Sequence, residues 1–337
     1  MASHKIIGIG AGSVGAASAI WLRRAGHEVT LIDKGTPGMG ASYGNGGILA
    51  SCSVVPVTAP GLIRKGPGYL LDPDFPLFTR LSYLPKLLPW LTRYLSHAND
   101  ADTRRISASL SVIVGDSLEQ HQALSAGTRA ARWLQESEYN FVYADRAAYE
   151  ADAYVWELRR EAGFVPTLIE GPAVQEVEPI LSHDVGLLAV NKNHGFILNP
   201  AAYVADLVTQ LQELGGRFVQ AEVRDFELSG GQISAVDTDQ GRLPCDRAVL
   251  AAGIGSRPLM DKLGLRVPLE AERGYHVLYK NPNMVPNNPM MLTGGKFVAT
   301  PMAQGLRCAG VVEFGGLTDK KSKAPLRLLR KKVGEIF

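Results

Sequence analysis

The chain opens on KIIGIG (5–10), an unbroken apolar and largely β-branched run of the kind that a strand buried on both faces requires. From Val14 to Arg24 the spacing turns helical. Ala16, Ala19 and Ala25 are small where a helix must lie close on a sheet, and Gly26 is placed to end it. HEVTLID (27–33) alternates apolar and polar and predicts a second strand ending at Asp33. A glycine-dense stretch follows, GASYGNGGILAS (40–51), and then prolines 56, 60, 67, 73, 76, 85 and 89 cut residues 52–90 into short pieces. Asp100 to Glu138 reads as helical, with Ile106, Leu110, Ile113, Val114, Leu118 and His121 three to four residues apart. LNPAAYVADLVTQLQELGG (198–216) predicts a further helix, with Asn199 as N-cap, Pro200 in the first turn and Gly215 at the stop. RFVQAEVRDFEL, ISAVDTDQG and CDRAVLAAGIGS then predict three strands, the last ending in small residues, and PLEAERGYHVLYK (268–280) predicts another. The basic segment KKSKAPLRLLRKK predicts an exposed helix with Leu326, Leu329 and Val333 inward.

Length and charge narrow this picture. A chain of 337 residues, 46% hydrophobic and 20% charged, can bury two sizeable cores. Its net charge of +2 gives no bulk attraction to nucleic acid, and no nucleic-acid partner is expected. Cys52, Cys245 and Cys308 are far apart and form neither a zinc motif nor a disulfide framework, so no metal site is expected and a reducing compartment fits. Residues 6–22 are uncharged, but the run is rich in glycine, alanine and serine, and its flanks are wrong for export or a membrane span.

The turn after the first strand carries G-x-G-x-x-G at Gly10, Gly12 and Gly15, with Ala11, Ser13 and Val14 between. In such a turn the first glycine makes the bend, the second lets backbone approach a pyrophosphate, and the third brings helix and strand together. The helix N-terminus then offers N–H groups and a positive dipole end to phosphate. Asp33, about twenty residues on, is placed to accept both ribose hydroxyls and would repel a 2′-phosphate, which disfavours NADP. An NAD domain would continue with further βα units. Here the nucleotide pattern breaks off after Asp33 and resumes near residue 198, closing on the late strand end Ala-Ala-Gly-Ile-Gly. Such an interrupted nucleotide domain points to FAD rather than NAD.

In order along the chain, GIGAGSVGAASAIWLRRAGHEVTLID, ASYGNGG, HGFILNPAAYVADL, VLAAGIGS, PLEAERGYH and TPMAQGLRCAGVVEFGG resemble the FAD-dependent oxidoreductases of the D-amino-acid oxidase superfamily, above all bacterial D-amino acid dehydrogenases. The resemblance implies an α/β fold. A Rossmann-like, glutathione-reductase-type FAD domain (1–60 and 196–258) is interleaved with an α+β substrate domain carrying a mixed sheet (61–195 and 259–325). By position, Gly10, Ala11, Gly12, Ser13, Val14 and Gly15 would hold the pyrophosphate, Asp33 the adenosine ribose, and Lys34 would lie close to that ribose. Ser42, Asn45, Gly46 and Gly47 would follow the cofactor toward the flavin, Val223 would meet the adenine, and Ala252 and Gly253 would close from the late strand. The implied reaction is oxidative deamination of a D-amino acid: a hydride leaves Cα for the flavin, and water hydrolyses the imine to a 2-oxo acid and ammonia. Electrons would pass to a quinone or another carrier. Sarcosine, glycine or proline-type amines are the alternative substrates, and a non-catalytic nucleotide-binding fragment is the alternative of another class.

The substrate side is less specific. Tyr275 and His276 lie on opposite faces of their strand, so at most one faces the flavin, and both also fit as ordinary strand residues. Tyr43 either covers the flavin or fills a gap. Arg307 is a candidate carboxylate clamp, as is Arg273, although Pro301 and Met302 stand where oxidase-type relatives often carry an arginine beside the threonine. His194, like His276, is weighed as a proton carrier against a structural role. YLLDPDFPLFTRLSYLPKLLPWLTRYL (69–95) is weighed as a peripheral contact with the inner membrane; packing on its own core is favoured, and a cytoplasmic location is expected. Relatives continue past the tail helix into another flavin-contacting segment, so 326–337 is expected to be the start of a segment cut short at GEIF, with the activity of the shortened chain and its oligomeric state left open.

Overall fold

A computed structural model describes residues 2–63, 76–318 and 320–337. The chain divides into two compact units, one of Met1–Asn45, His121–Leu134 and Asn199–Leu269, the other of Gly46–Gln120, Gln135–Leu198 and Glu270–Phe337.

In the first unit, β1 (Lys5–Ile9) leads into α1 (Ser13–Arg24) and then β2 (Glu28–Asp33). Four strands pair in parallel in the order Arg247–Leu250, β1, β2, Arg217–Gln220. Ile7, Ile9 and Ile32 are buried with Ala221, Val236, Cys245 and Leu259, the core that the apolar run of β1 anticipates. The helix Pro200–Glu213 is capped as its sequence predicts: Ala202 N–H donates to Asn199 Oδ1 at 3.2 Å, and Pro200 stands in the first turn. RFVQAEVRDFEL is two strands rather than one. Arg217–Gln220 extends the parallel sheet, whereas Val223–Ser229 joins Gln232–Thr238 and Gly241–Pro244 in an antiparallel sheet of its own. The break falls where Ala221 N–H donates to Asp33 O and Glu222 N–H to Asp239 Oδ1, which turns the chain out of the first ladder.

Among the described residues the second unit is built on a mixed sheet of nine strands. Its long members are Leu134–Tyr143, Leu187–Ile197, Glu272–Tyr279 and Gly305–Phe314. One face buries Val142, Leu188, Tyr275, Met290, Phe297, Cys308 and Val311 with Leu329 and Val333 of the helix Lys323–Ile336. The expectation of one helical stretch from Asp100 to Glu138 is corrected. Helices Asp100–Val114 and Ser117–Ser125 end before residue 126, and Leu134–Glu138 already belongs to a strand. On the first of these helices Thr103 and Ser107 are buried, Ile106, Leu110 and Val114 are half-buried and Ile113 is exposed, so polar residues share the packed face with the expected apolar stripe. Of the segment weighed as membrane-facing, residues 69–75 lie outside the described residues; its later part is the helix Leu84–Ser96, which buries Leu87. Among the described residues no helix is long and apolar enough to cross a membrane.

Candidate functional site

The βα turn of the first unit has three glycines, two required by the chain's own packing and one not. Gly10 has φ +106°, and a Cβ there would stand 2.5 Å from Ala251 O. A Cβ on Gly15 would stand 1.8 Å from Gly10 O. Both are demanded by the close approach of turn, α1 and the late strand end, whose Ala251 N–H donates to Ile9 O. Gly12 differs. Its φ of −80° suits any residue, and a Cβ would meet only Ser42 Oγ, at 3.3 Å. Within the chain a Cβ at Gly12 would press only on this hydroxyl, and the glycine leaves room for a group outside the fold.

Helix α1 begins there without a side-chain cap from Gly12. Ser13 N–H donates to Ser42 Oγ at 3.1 Å, and the first N–H bonded within the helix is that of Ala16, to Gly12 O at 2.9 Å. The N–H groups of the first turn have no intrahelical partner and face the position that an anion takes at a helix N-terminus. Asp33 ends β2 beside them. Its Oδ2 accepts from Ala11 N–H at 2.7 Å and its Oδ1 from Gly35 N–H at 2.8 Å, which fixes the carboxylate while about two of its four acceptor positions remain for hydroxyls. These residues fit the pyrophosphate and ribose of a dinucleotide. A surface cleft at Ser3, His4, Glu28 and Asp246 lies instead at the N-terminal ends of the same strands, the wrong end of an open parallel sheet for a cofactor.

The other expected cofactor residues of this unit fall as follows. Lys34 is exposed and pairs with Glu222 at 3.8 Å. Val223 starts the antiparallel strand opposite Thr238. Ala252 N–H donates to Ser256 Oγ at 3.1 Å, and Gly253 has φ +57°. Ser256, after Gly-Ile-Gly, begins the helix Ser256–Lys262. Tyr43 and Asn45 are exposed.

In the second unit, Gly46 lies on the strand Phe297–Met302. A Cβ on it would stand 2.8 Å from Val298 Cγ2, and its carbonyl accepts from Thr300 Oγ1 at 2.7 Å. Gly47, with φ +70°, accepts from Ile197 N–H at 2.7 Å. Cross-strand register puts His276, Ala309 and Val298 in one row and Leu278, Arg307 and Thr300 in the next, all on one face. Arg307 and Thr300 are buried. Partial burial pushes the His276 pKa down, and the charge of Arg307 adds to the shift, so this imidazole is neutral at pH 7. Alternation from Arg307 across the tight turn places Thr300 opposite it.

Tyr275 faces the opposite way, into the apolar core. Its hydroxyl donates to Glu313 Oε2 at 2.5 Å and accepts from Ser322 N–H at 3.0 Å. Glu313 also accepts from Arg80 Nε at 3.0 Å and Ser322 Oγ at 2.5 Å, so Tyr275 belongs to a buried polar hub that fastens the segment leading into the last helix. Arg273 donates to Thr318 O. His194 is wholly buried.

A parallel sheet with this glycine turn, helix terminus and carboxylate defines a dinucleotide-binding oxidoreductase fold. Residues 5–337 match the FAD dependent oxidoreductase (DAO) family, and the chain belongs to it; its cofactor is FAD. It is 37% identical over 332 residues to a D-amino-acid oxidase of Bradyrhizobium diazoefficiens, covering 98% of this chain and 79% of that one. It is 27% identical over 357 residues to a D-amino acid dehydrogenase of Rhizobium rhizogenes, covering 99% and 82%. Among solved structures, an L-proline dehydrogenase from P. horikoshii superposes with a TM-score of 0.68 at 18% identity, covering 99% of this chain and 77% of that one. A glycine oxidase from Bacillus cereus gives 0.64 at 16%, covering 99% and 78%.

Proposed function

We propose that this chain oxidatively deaminates a D-amino acid. The observation that carries the substrate class is the 37% identity, along 98% of the chain, to a protein named D-amino-acid oxidase. When bound, FAD supplies a two-electron acceptor for the substrate Cα–H bond, and water converts the resulting imine to a 2-oxo acid and ammonia. Gly10, Ala11, Gly12, Ser13, Val14 and Gly15 hold the pyrophosphate by backbone N–H groups and the helix dipole. Asp33 accepts the ribose hydroxyls, with Lys34 nearby. Ser42 keeps the α1 terminus in place, and Asn45, Gly46 and Gly47 continue toward the flavin. Val223 borders the adenine, and Ala252 and Gly253 close the late strand end.

On the substrate side Arg307 takes the carboxylate, since a buried guanidinium offers a planar fork of donors that matches it. His276, neutral at pH 7, accepts a proton from the substrate ammonium so that the amine reacts uncharged. Tyr43 is the remaining candidate beside the ring. The acceptor of the electrons is a quinone or another carrier.

Anaerobic addition of D- and L-amino acids to the flavin-loaded protein tests this. Bleaching of the flavin band by D- but not L-isomers is expected. Bleaching only by glycine, sarcosine or proline derivatives would overturn the substrate class, and rapid peroxide production in air would overturn the acceptor alone.

A further inference from the structure

The segment after Gly46-Gly47 is held at its far end by a side chain that the reaction does not use. His194 stands near the end of the strand Leu187–Ile197 and is fully buried. Its Nδ1 lies 2.8 Å from Lys192 O, a carbonyl that can only accept, so Nδ1 carries the proton. The other nitrogen, Nε2, is therefore an acceptor and takes Cys52 N–H at 3.1 Å. Between these two fixings, Ile48 and Leu49 pair with Phe196 and Gly195. The segment is thus tied at one end by Thr300 to Gly46 O, and at the other the Cys52 N–H is held by the imidazole while Cys52 O accepts from Arg159.

We infer that His194 is a positioning residue: its neutral, Nδ1-protonated ring sets the path of residues 46–52 and through them the backbone offered to the cofactor. The inference rests on the reading that Gly46 and Gly47 face FAD. Protonation of Nε2 would turn the acceptor into a donor facing the Cys52 N–H, and the tie would open. The groups around the ring agree with a neutral state. Burial lowers its pKa, while the Lys192 carbonyl and the charge of Glu119, on the helix Ser117–Ser125, oppose that only in part. Tyr139 and Phe164 present rings at 5.9 and 6.0 Å. The Cys52 thiol, pushed up to about 12 by burial, carries no charge. Arg159, whose Nε donates to Cys52 O at 3.4 Å, is the cation at the other end of Cys52.

The test is FAD binding by the purified protein after removal of its cofactor, followed by flavin fluorescence, for wild type, His194→Phe, His194→Gln and Gly46→Val. His194→Phe keeps a ring but leaves Cys52 N–H without an acceptor, and affinity is expected to fall about tenfold or more. His194→Gln restores an acceptor and a donor and is expected to recover most of it. Wild-type affinity should fall as pH drops below the ordinary histidine value, whereas that of His194→Gln should not. A folded His194→Phe protein that binds FAD like the wild type would overturn the inference. If that variant does not fold, parallel pH dependence in wild type and His194→Gln would overturn it instead. Gly46→Val separates the two readings. If it leaves FAD affinity unchanged, the placement of Gly46 and Gly47 at the cofactor fails; if it weakens binding while His194→Phe does not, only the role of His194 fails.

Discussion

Gly12 and Gly15 are three residues apart in one motif, yet alanine at each should do opposite things. At Gly15 the new Cβ would sit 1.8 Å from Gly10 O, a backbone atom that is itself held by the turn. Relief requires α1 to move off the sheet, which breaks packing at the buried Ala16, Ala19 and Ile20, so several kcal/mol of stability are expected to go. At Gly12 the Cβ meets only Ser42 Oγ at 3.3 Å and the backbone angle is ordinary, so a shift of a few tenths of an ångström absorbs it. Removing one glycine from the unfolded ensemble even offsets part of that strain, and the melting point of the cofactor-free protein should change by no more than about ±1 kcal/mol in equivalent stability. Cofactor affinity should respond differently. A methyl group over the α1 terminus denies the pyrophosphate at least one charge-assisted hydrogen bond of about 1.5–3 kcal/mol, a roughly 10- to 150-fold weaker Kd for FAD. Thermal melts of the cofactor-free variants, with FAD titrations of each, make the comparison. A Gly12→Ala protein that is as unstable as Gly15→Ala, or one that binds FAD like the wild type, would refute the reasoning.

Further outcomes follow from the second unit. Arg307→Lys keeps the charge but loses the fork, and should raise KM for the amino acid by about 10- to 100-fold with a smaller change in kcat, read from steady-state kinetics. Glu313→Ala leaves Arg80 Nε and two hydroxyls without their acceptor in a largely buried hub, and should lower stability by about 2–4 kcal/mol in denaturant melts. Burial raises the Glu313 pKa, but hydrogen bonds from Arg80, Ser322 and Tyr275 outweigh it and hold the group below its ordinary 4.5. The stability it contributes is therefore complete above pH 4.5 and is lost as pH falls through the lower folded value; Glu313→Gln should flatten that acid limb.

The nucleotide half was legible because its demands are local. A buried strand, a tight turn and a helix packed at close range each dictate residue types within a few positions, and Gly10, Gly15, Asn199 and Pro200 sit where those demands place them. The motif already separates the roles of the three glycines; the neighbours of each Cβ add how strictly each is required, Gly15 against Gly10 O and Gly12 against Ser42 Oγ alone. Tyr275 and His276 could be assigned to opposite faces by alternation, but which face meets the core depends on Glu313 and Ser322, far along the chain. The apolar stripe of Asp100–Val114 is incomplete for a related reason. Thr103 donates to Thr58 O and Asn99 O inside the fold, and these bonds bury a polar residue that the hydrophobic pattern does not include. In RFVQAEVRDFEL no glycine or proline marks the change of sheet, because the break is made by hydrogen bonds from partners at Asp33 and Asp239.

The parallel sheet of the first unit also sets a timetable. β1 lies between β2 and Arg247–Leu250, with Ile6 opposite Arg247. On a ribosome adding about 5–20 residues per second, the first strand waits roughly 10–50 s with one edge unpaired before its second neighbour is made. Throughout that interval the nascent chain exposes an apolar ladder that any passing strand could extend. Chaperone dependence during synthesis is therefore expected to be greatest before residue 250 emerges, and a release of nascent chains from chaperone just beyond that length would mark the moment at which the nucleotide sheet closes around β1.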